Sequence, residues 1–400
     1  MSAPAGGRHR ILHVLPDLAI GGGQTIVLQH VRHADRDQFD VTVCHLSGED
    51  ALAPSFTEAG VTPIHLGLGS RVGTTGALAS LVRLARQADL LHVHSDLDRK
   101  FGHAAGLAAR IPVVGHLHAE WVHFGPMYPP DPGALGRARA KVSGRGRDWL
   151  ERRAVRHYIA ESRDVRDVFV PLVSVPITVL NQAVAIDRFG ARDPERMAQL
   201  RKELAPAGGP VLMCVSRLVP GKGQARLLAL MPAILERWPA ATLVLVGDGS
   251  ERPALEAQVA ASGLQGSVRM LGARFDIPDL LAAADLFLFA SESEGFGLAV
   301  LEAMAARAAV VAFRLPALAE FVTDGANGYL VDQNDEAGFV ARVDQLLGDP
   351  ARRRSMGEAG RAVVERHYAP DAVARSFEAV YQHVLNGPAL TVGAPKEVMA

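Results

Sequence analysis

The chain has 400 residues, 48% of them hydrophobic, and 42 Lys and Arg against 43 Asp and Glu give a formal charge of −1. That length and apolar content supply two cores, so two domains are expected, and a pI near 7.0 offers no bulk attraction to nucleic acid. The only cysteines, Cys44 and Cys214, sit in apolar runs without metal-ligand spacing, no run reaches the roughly 18 apolar residues of a membrane span, and the start lacks a signal-peptide core, so a cytoplasmic protein with reduced thiols is expected.

Ile11–Pro16 reads as a first strand, followed by Asp17 to Gln24 with Gly21, Gly22 and Gly23, and then by the helical stretch Thr25–His33. Glycines after a strand suit a ligand loop, but the spacing is not the Gly-x-Gly-x-x-Gly of a dinucleotide site. Phe39–His45 and Val61–Leu66 read as strands, and Leu78–Ala88 as a helix leading to the strand Leu90–His94. Strand and helix in alternation predict a parallel, doubly wound sheet. His94 and Ser95 end one strand, and Ile111–His118 ends in His116-Leu-His118-Ala-Glu120-Trp121. Histidines on one rim are site candidates, with ordinary core or surface positions as the alternative.

Pro126–Gly136 is rich in Pro and Gly and suits an acceptor flap. Arg137–Arg156 is densely basic, either a solvated helix face or a contact for anionic lipid or a phosphorylated acceptor. After the strands Val155–Ala160 and Val175–Leu180 the pattern lapses from Asn181 to Pro210, apart from one short charged helix, and the domain boundary is placed there.

Val211–Ser216 restarts the rhythm and runs into Arg217-Leu-Val-Pro-Gly-Lys222-Gly. Two cations five residues apart on such a loop suit a diphosphate clamp or, equally, two solvated charges; the P-loop pattern is absent. Thr242–Val246 leads to Gly247-Asp-Gly249, read as mainly structural. Val268–Leu271 leads to Gly272-Ala-Arg274, and the helix Pro278–Ala284 precedes the strand Leu286–Ala290. That strand opens into Ser291-Glu-Ser-Glu294-Gly-Phe-Gly-Leu-Ala-Val-Leu-Glu302, a glycine turn and helix N-terminus that favour an anion, with carboxylates on either side.

Together with Val246-Gly-Asp-Gly249 and Asp324-Gly-Ala-Asn-Gly-Tyr-Leu-Val331, these segments resemble the nucleotide-sugar domain of family-4 retaining glycosyltransferases of the GT-B fold, in order from Val211 to Pro350. The first half resembles that family more loosely, through Gly21–Gln24, the His118 strand end and Asn181…Asp187-Arg-Phe189. The resemblance implies two Rossmann-like parallel-sheet domains facing a central cleft. Residues 1–186 would bind the acceptor, completed by a C-terminal helix at 371–387; residues 187–370 would bind the nucleotide sugar, and 388–400 would form a flexible tail.

It further implies that Arg217 and Lys222 hold the donor diphosphate, and that Glu294 and the amides of Gly295, Phe296, Gly297 and Leu298 hold the transferred sugar. Glu302 would hold the ribose, backbone near Arg274 would border the base, His118 would sit by the reacting sugar from the first domain, and Gly22 and Gly23 would close over the phosphates. His118, Arg217, Lys222 and Glu294 form the catalytic set so implied.

The activity implied is metal-independent, retaining transfer of a hexose or amino-hexose to a hydroxyl of a small molecule such as an aminocyclitol. The co-substrate is a nucleotide diphosphate sugar, UDP first and GDP next, with no tightly bound cofactor. Rival readings are a nucleotide-sugar epimerase, a non-catalytic relative that binds nucleotide sugar, and a membrane-associated transferase acting on a lipid or polysaccharide. The chain departs from the family at Arg307 and Ala309, at Arg314–Glu320 and at Leu180–Val184, which bears on sugar contacts more than on fold.

Overall fold

A strand buried on both faces needs apolar side chains at every position, and runs such as Leu286–Phe289 and Ala309–Phe313 meet that condition with every residue buried. The computed structural model describes residues 7–19, 21–48, 50–69, 73–94, 96–118, 149–190 and 192–387. Within them the apolar runs form two sheets, and every strand pair is parallel.

The first sheet comprises β1 (His9–Leu15), β2 (Phe39–His45), β3 (Ile64–His65), β4 (Leu90–Val93), β5 (Val113–Leu117), β6 (Val155–Ala160) and β7 (Ile177–Val179). Its order is β3-β2-β1-β4-β5-β6-β7. The second comprises β8 (Val211–Val215), β9 (Thr242–Val246), β10 (Val268–Met270), β11 (Leu286–Phe289), β12 (Ala309–Phe313) and β13 (Tyr329–Val331). Its order is β10-β9-β8-β11-β12-β13. Each sheet therefore winds one way and then the other, reversing at β1/β4 and at β8/β11, where such sheets bind ligands beyond the carboxyl ends of their strands.

The chain divides into two compact units, Met1–Ala183 with Pro370–Ala400, and Val184–Ala369. The helix Pro370–Asn386 belongs to the first, where Phe377, Val380 and Tyr381 pack with Ile26, Val27 and Val31. Parallel register sets His13 of β1 beside His92 of β4. Alternation along each strand then puts His92 and His94 on one face, and likewise His116 and His118.

Several elements differ from the sequence-based expectation. The third strand shrinks from Val61–Leu66 to Ile64–His65, both exposed, because it is an edge strand paired on one side only. The helix read as Leu78–Ala88 spans Gly73–Ala85, and that read from Thr25 starts at Gly22. At Arg307, where the family often has Gly, φ is 63°; the left-handed conformation after the preceding helix explains the family's preference. Here the Arg307 side chain donates to Glu358 at 3.0 Å.

Tyr381 Oη lies 2.7 Å from His92 Nδ1 in a fully buried contact. Tyr381→Phe leaves that ring nitrogen without its partner, and we expect it to lower stability by about 1–3 kcal/mol. Urea denaturation of the two proteins measures this; equal midpoints would show that the bond contributes nothing.

Candidate functional site

In the second unit the loops after β8 and β11 are laced together. Glu292 N–H donates to Gly221 O at 2.8 Å, and Ser291 Oγ donates to the same carbonyl at 3.1 Å. The approach depends on Gly223: its φ is 74°, and a Cβ there would stand 1.9 Å from Ala290 O. Gln224, the first residue of the helix Gln224–Arg237, braces the loop from beneath by donating to Ser216 Oγ at 2.6 Å and Arg217 O at 2.9 Å. The Gly247–Gly249 turn backs the loop as well, since Leu218 N–H donates to Asp248 O at 2.9 Å.

This lacing brings Lys222 Nζ to 2.8 Å from Glu294 Oε1, with side chains 15% and 13% exposed. Such a pair is far less screened than a surface one, and each charge offsets the other's desolvation. Sequence reasoning placed both residues in the site and missed that they pair. Arg217 is exposed on the same loop.

Beyond Glu294 the chain turns through Gly295, Phe296 and Gly297 into the helix Leu298–Ala305. Gly297 is its N-cap at φ 93°, and a Cβ there would lie 2.4 Å from Leu318 Cδ2. Val300 N–H turns back to Gly297 O at 2.9 Å, while the amides of Leu298 and Ala299 have no acceptor within the helix and form its positive end. Phe296 contributes backbone only, because its ring is buried against Phe321 and Tyr368 at centroid distances of 5.4 and 5.8 Å.

Glu302 keeps some exposed surface, yet its burial pushes the carboxyl up to about 7, opposed by the charge of Arg188. Sequence reasoning did not select Arg188 for the site, although it lies in the Asp187-Arg-Phe189 segment that resembles the family. Arg274 donates to both oxygens of Asp276, at 2.8 and 2.5 Å, and this hydrogen bonding holds the Asp276 carboxyl below its ordinary range. An open depression of about 640 Å3 lies to the side, lined by Arg226, Glu292, Gln333, Asn334, Asp335, Glu336 and Ala337; it contains none of the predicted donor residues.

In the first unit His118 Nδ1 lies 2.9 Å from Glu161 Oε2, and Gln182 Nε2 donates to the same oxygen at 2.6 Å. Gly23 faces the other side of that ring: a Cβ there would be 3.8 Å from His118 Nε2, and one on Gly22 would be 3.9 Å from Gln182 Oε1. Gly22, Gly23 and His118 are therefore brought together, along with Glu161, whose place directly after a buried strand was the available signal.

Behind His118 runs a column of imidazoles. His13 Nδ1 is 2.9 Å from His94 Nε2 and His13 Nε2 is 3.0 Å from His30 Nδ1, while His116 stacks on His118 at 4.4 Å and 12°. Burial pushes His13, His92, His94 and His116 well below the ordinary histidine range and His30 down to about 3, so these rings are neutral. Ser95, Glu120, Trp121, the Pro126–Gly136 stretch, residues 137–148 of the basic segment and the tail from 388 lie outside the described residues.

Two family descriptions match the chain: Glycosyltransferase Family 4 over residues 20–188 and Glycosyl transferases group 1 over residues 195–363. Over 208 residues it is 35% identical to the GDP-mannose-dependent alpha-(1-6)-phosphatidylinositol monomannoside mannosyltransferase of Mycolicibacterium smegmatis, an overlap of 50% of this chain and 53% of that protein. Over 244 residues it is 27% identical to the alpha-D-kanosaminyltransferase of Streptomyces kanamyceticus, 59% of this chain and 63% of that one. The chain thus spans about half the length of the curated relatives it matches. Among solved structures, Anabaena HepE in complex with UDP and glucose aligns with a TM-score of 0.78 at 23% identity, over 94% of this chain and 100% of that one. With its two doubly wound parallel sheets and these matches, the chain is a GT-B-fold protein related to the glycosyltransferases of group 1 and of family 4.

Proposed function

We propose that the chain transfers a hexose or amino-hexose from a UDP- or GDP-linked donor to a hydroxyl of a small-molecule acceptor, with retention at the anomeric carbon. The observation that carries this reading is the Lys222–Glu294 pair, 2.8 Å apart beside the N-terminus of the helix Leu298–Ala305. One such pair offers a cation to a diphosphate and a carboxylate to sugar hydroxyls, and the helix end adds donors for negative charge. Support also comes from the named activities of the relatives, one a GDP-mannose-dependent mannosyltransferase and one a kanosaminyltransferase, and from the UDP and glucose in complex with HepE.

As the sugar–phosphate bond breaks, positive charge grows on the ring and negative charge on the departing diphosphate. Arg217, Lys222 and the amides of Gly297 and Leu298 stabilise the second. Glu294, with Oε1 on Lys222, presents its other oxygen to a sugar hydroxyl, and Glu302 accepts from the ribose. Arg274, held by Asp276, borders the base. The first unit supplies the acceptor site, with His118, Gly22 and Gly23 among its residues. The departing phosphate oxygen takes the acceptor proton on the front side, so no enzyme nucleophile is required.

A second reading, a lipid-linked acceptor, is favoured by one observation. Residues 149–154 are helical, and Trp149 stands 53% exposed with the Arg153 guanidinium 4.6 Å over its ring. An aromatic and a cation on an exposed helix suit an anionic lipid surface. Liposome sedimentation decides: salt-sensitive binding to anionic vesicles favours this acceptor class, and its absence returns the reading to a soluble one.

Thermal unfolding with UDP, GDP, ADP and dTDP tests the donor site, since a ligand of the folded state raises apparent stability with its concentration. One nucleotide is expected to raise the midpoint in the wild type and to lose that effect in Arg217→Ala and Lys222→Ala. No shift with any of the four would remove the proposal. With the donor identified, Lys222→Ala is expected to lower kcat by about 10²–10³-fold.

Glu302 makes the site sensitive to pH. Its folded-state carboxyl is raised from 4.5 to about 7, so the stability it contributes is fully present below about 4.5 and is lost as pH rises through about 7. Glu302→Gln should remove that decline, which urea midpoints across pH 4–8 would detect. Nucleotide affinity should move the opposite way, tightening roughly tenfold between about pH 6 and 8 as the ribose gains a charged acceptor. A titration of equal slope in Glu302→Gln would assign the effect to another group.

A further inference from the structure

The first unit holds a second concentration of chemistry, of which the transfer reaction as read above uses only His118. His94, which follows β4, and His116 and His118, in and after β5, each place one ring nitrogen within 4.8 Å of the others. His94 and His116 are 3% and 2% exposed, and His118, at 17% for its side chain, opens the cluster to solvent.

We propose that His94, His116 and His118 form a binding site for a divalent cation of the zinc class. Three imidazoles are a donor set that zinc accepts and that magnesium and calcium, which seek oxygen, do not. The distances suit it: ligands about 2.0–2.1 Å from a tetrahedral ion lie ~3.3 Å apart, so small rotations of the three rings close the set. Water completes the fourth position from the His118 side, which is also the entry path.

Two further observations point to an ion. His116 is a buried imidazole with no hydrogen-bond partner for either ring nitrogen among the described residues. A polar ring is not normally held that way, and coordination supplies what the protein does not. In addition, Glu161 takes the Nδ1 proton of His118 at 2.9 Å and is itself fixed by Gln182 at 2.6 Å. A carboxylate behind a histidine is the usual means of setting the tautomer and aiming Nε2 at a metal. His94 is steadied in the same manner through Nε2 by His13, which is held in turn by His30.

The neighbouring triad of His13, His92 and His94 has comparable spacing but a poorer donor set. His13 uses both ring nitrogens in bonds to His94 and His30, and His92 Nδ1 is bound to Tyr381. A metal there would have to break this network.

Occupancy would engage His118 Nε2, the atom facing Gly23. Given the transferase reading above, zinc would then inhibit transfer by withdrawing His118 from the sugar. The binding claim itself does not need that reading, and its test uses no nucleotide.

Metal-stripped, tag-free, full-length protein is titrated with Zn2+ against a chromogenic chelator. One equivalent is expected to be retained by the wild type. His116→Ala should weaken it at least tenfold, Glu161→Gln about 10–100-fold, and the surface control His65→Ala should leave it unchanged. Unfolding midpoints without metal report whether each variant folds. Should His116→Ala not fold, Co2+ added to the wild type decides, because a tetrahedral nitrogen-ligated ion absorbs intensely in the visible. The proposal is overturned if the wild type retains no stoichiometric Zn2+, if His116→Ala binds as tightly as the wild type, or if Co2+ gives only the weak spectrum of an aquo ion. Zn2+ binding without inhibition of transfer would leave the metal site standing and count against His118 acting at the sugar.

Discussion

A backbone with no side chain at position 223 is the condition on which the second unit's site rests. A Cβ there would fall 1.9 Å from Ala290 O, closer than any packing adjustment relieves. With glycine in place, the loop after β8 lies against the end of β11, and Gly221 O collects donors from Ser291 and Glu292. Only then do Lys222 and Glu294, 72 residues apart in sequence, come within 2.8 Å. The second glycine of this kind, Gly297, does the same for the helix that follows, seating its first turn against Leu318. Bare backbone at two points thus sets where the charges stand.

The charges are in turn handled differently according to their neighbours. Lys222 and Glu294 are largely buried and paired, so neither meets the full desolvation cost of a lone ion. Among the described residues Glu302 has no such partner at hydrogen-bond distance, only the field of Arg188, and burial dominates. One helix therefore follows a carboxylate held by its ammonium and carries another that ionises near neutrality. A polyol ligand meeting them finds one strong fixed acceptor and one whose strength depends on pH.

The doubly wound architecture was legible in the sequence because both faces of each central strand are covered, which demands uninterrupted apolar runs. β2, β6 and β9 have the bounds read from those runs. Legibility failed where that demand lapses. Ile64 and His65 sit at an edge with exposed side chains, so the surrounding sequence overstates the strand. In the site, motif residues on one contiguous turn were identifiable, whereas contacts between distant segments were not: nothing local pairs Lys222 with Glu294, places Arg188 near Glu302, or sets Glu161 behind His118. The histidines illustrate the same limit. His94, His116 and His118 drew notice as strand ends, but His13, His30 and His92 join them only through strand register and a helix packed across the sheet.

Both sheets reverse their winding at one place, between β1 and β4 in the first and between β8 and β11 in the second. At such a point the helices leaving adjacent strands go to opposite faces, and the gap between the strand ends is left for side chains rather than covered by chain. In the second sheet the gap is bordered by the Lys222 and Glu294 loops, one cationic and one carrying a carboxylate and leading into a helix N-terminus. In the first it is bordered by the glycine loop before Gly22 and by the strand end at His94, with His118 one strand further. The same topology thus makes two openings whose chemistry differs only through a handful of residues: charged and hydrogen-bonding in one, neutral imidazole in the other. Anion binding follows from the first set. In the second, whose described residues offer lone pairs from imidazoles, an electrophile is the ligand that those residues specify.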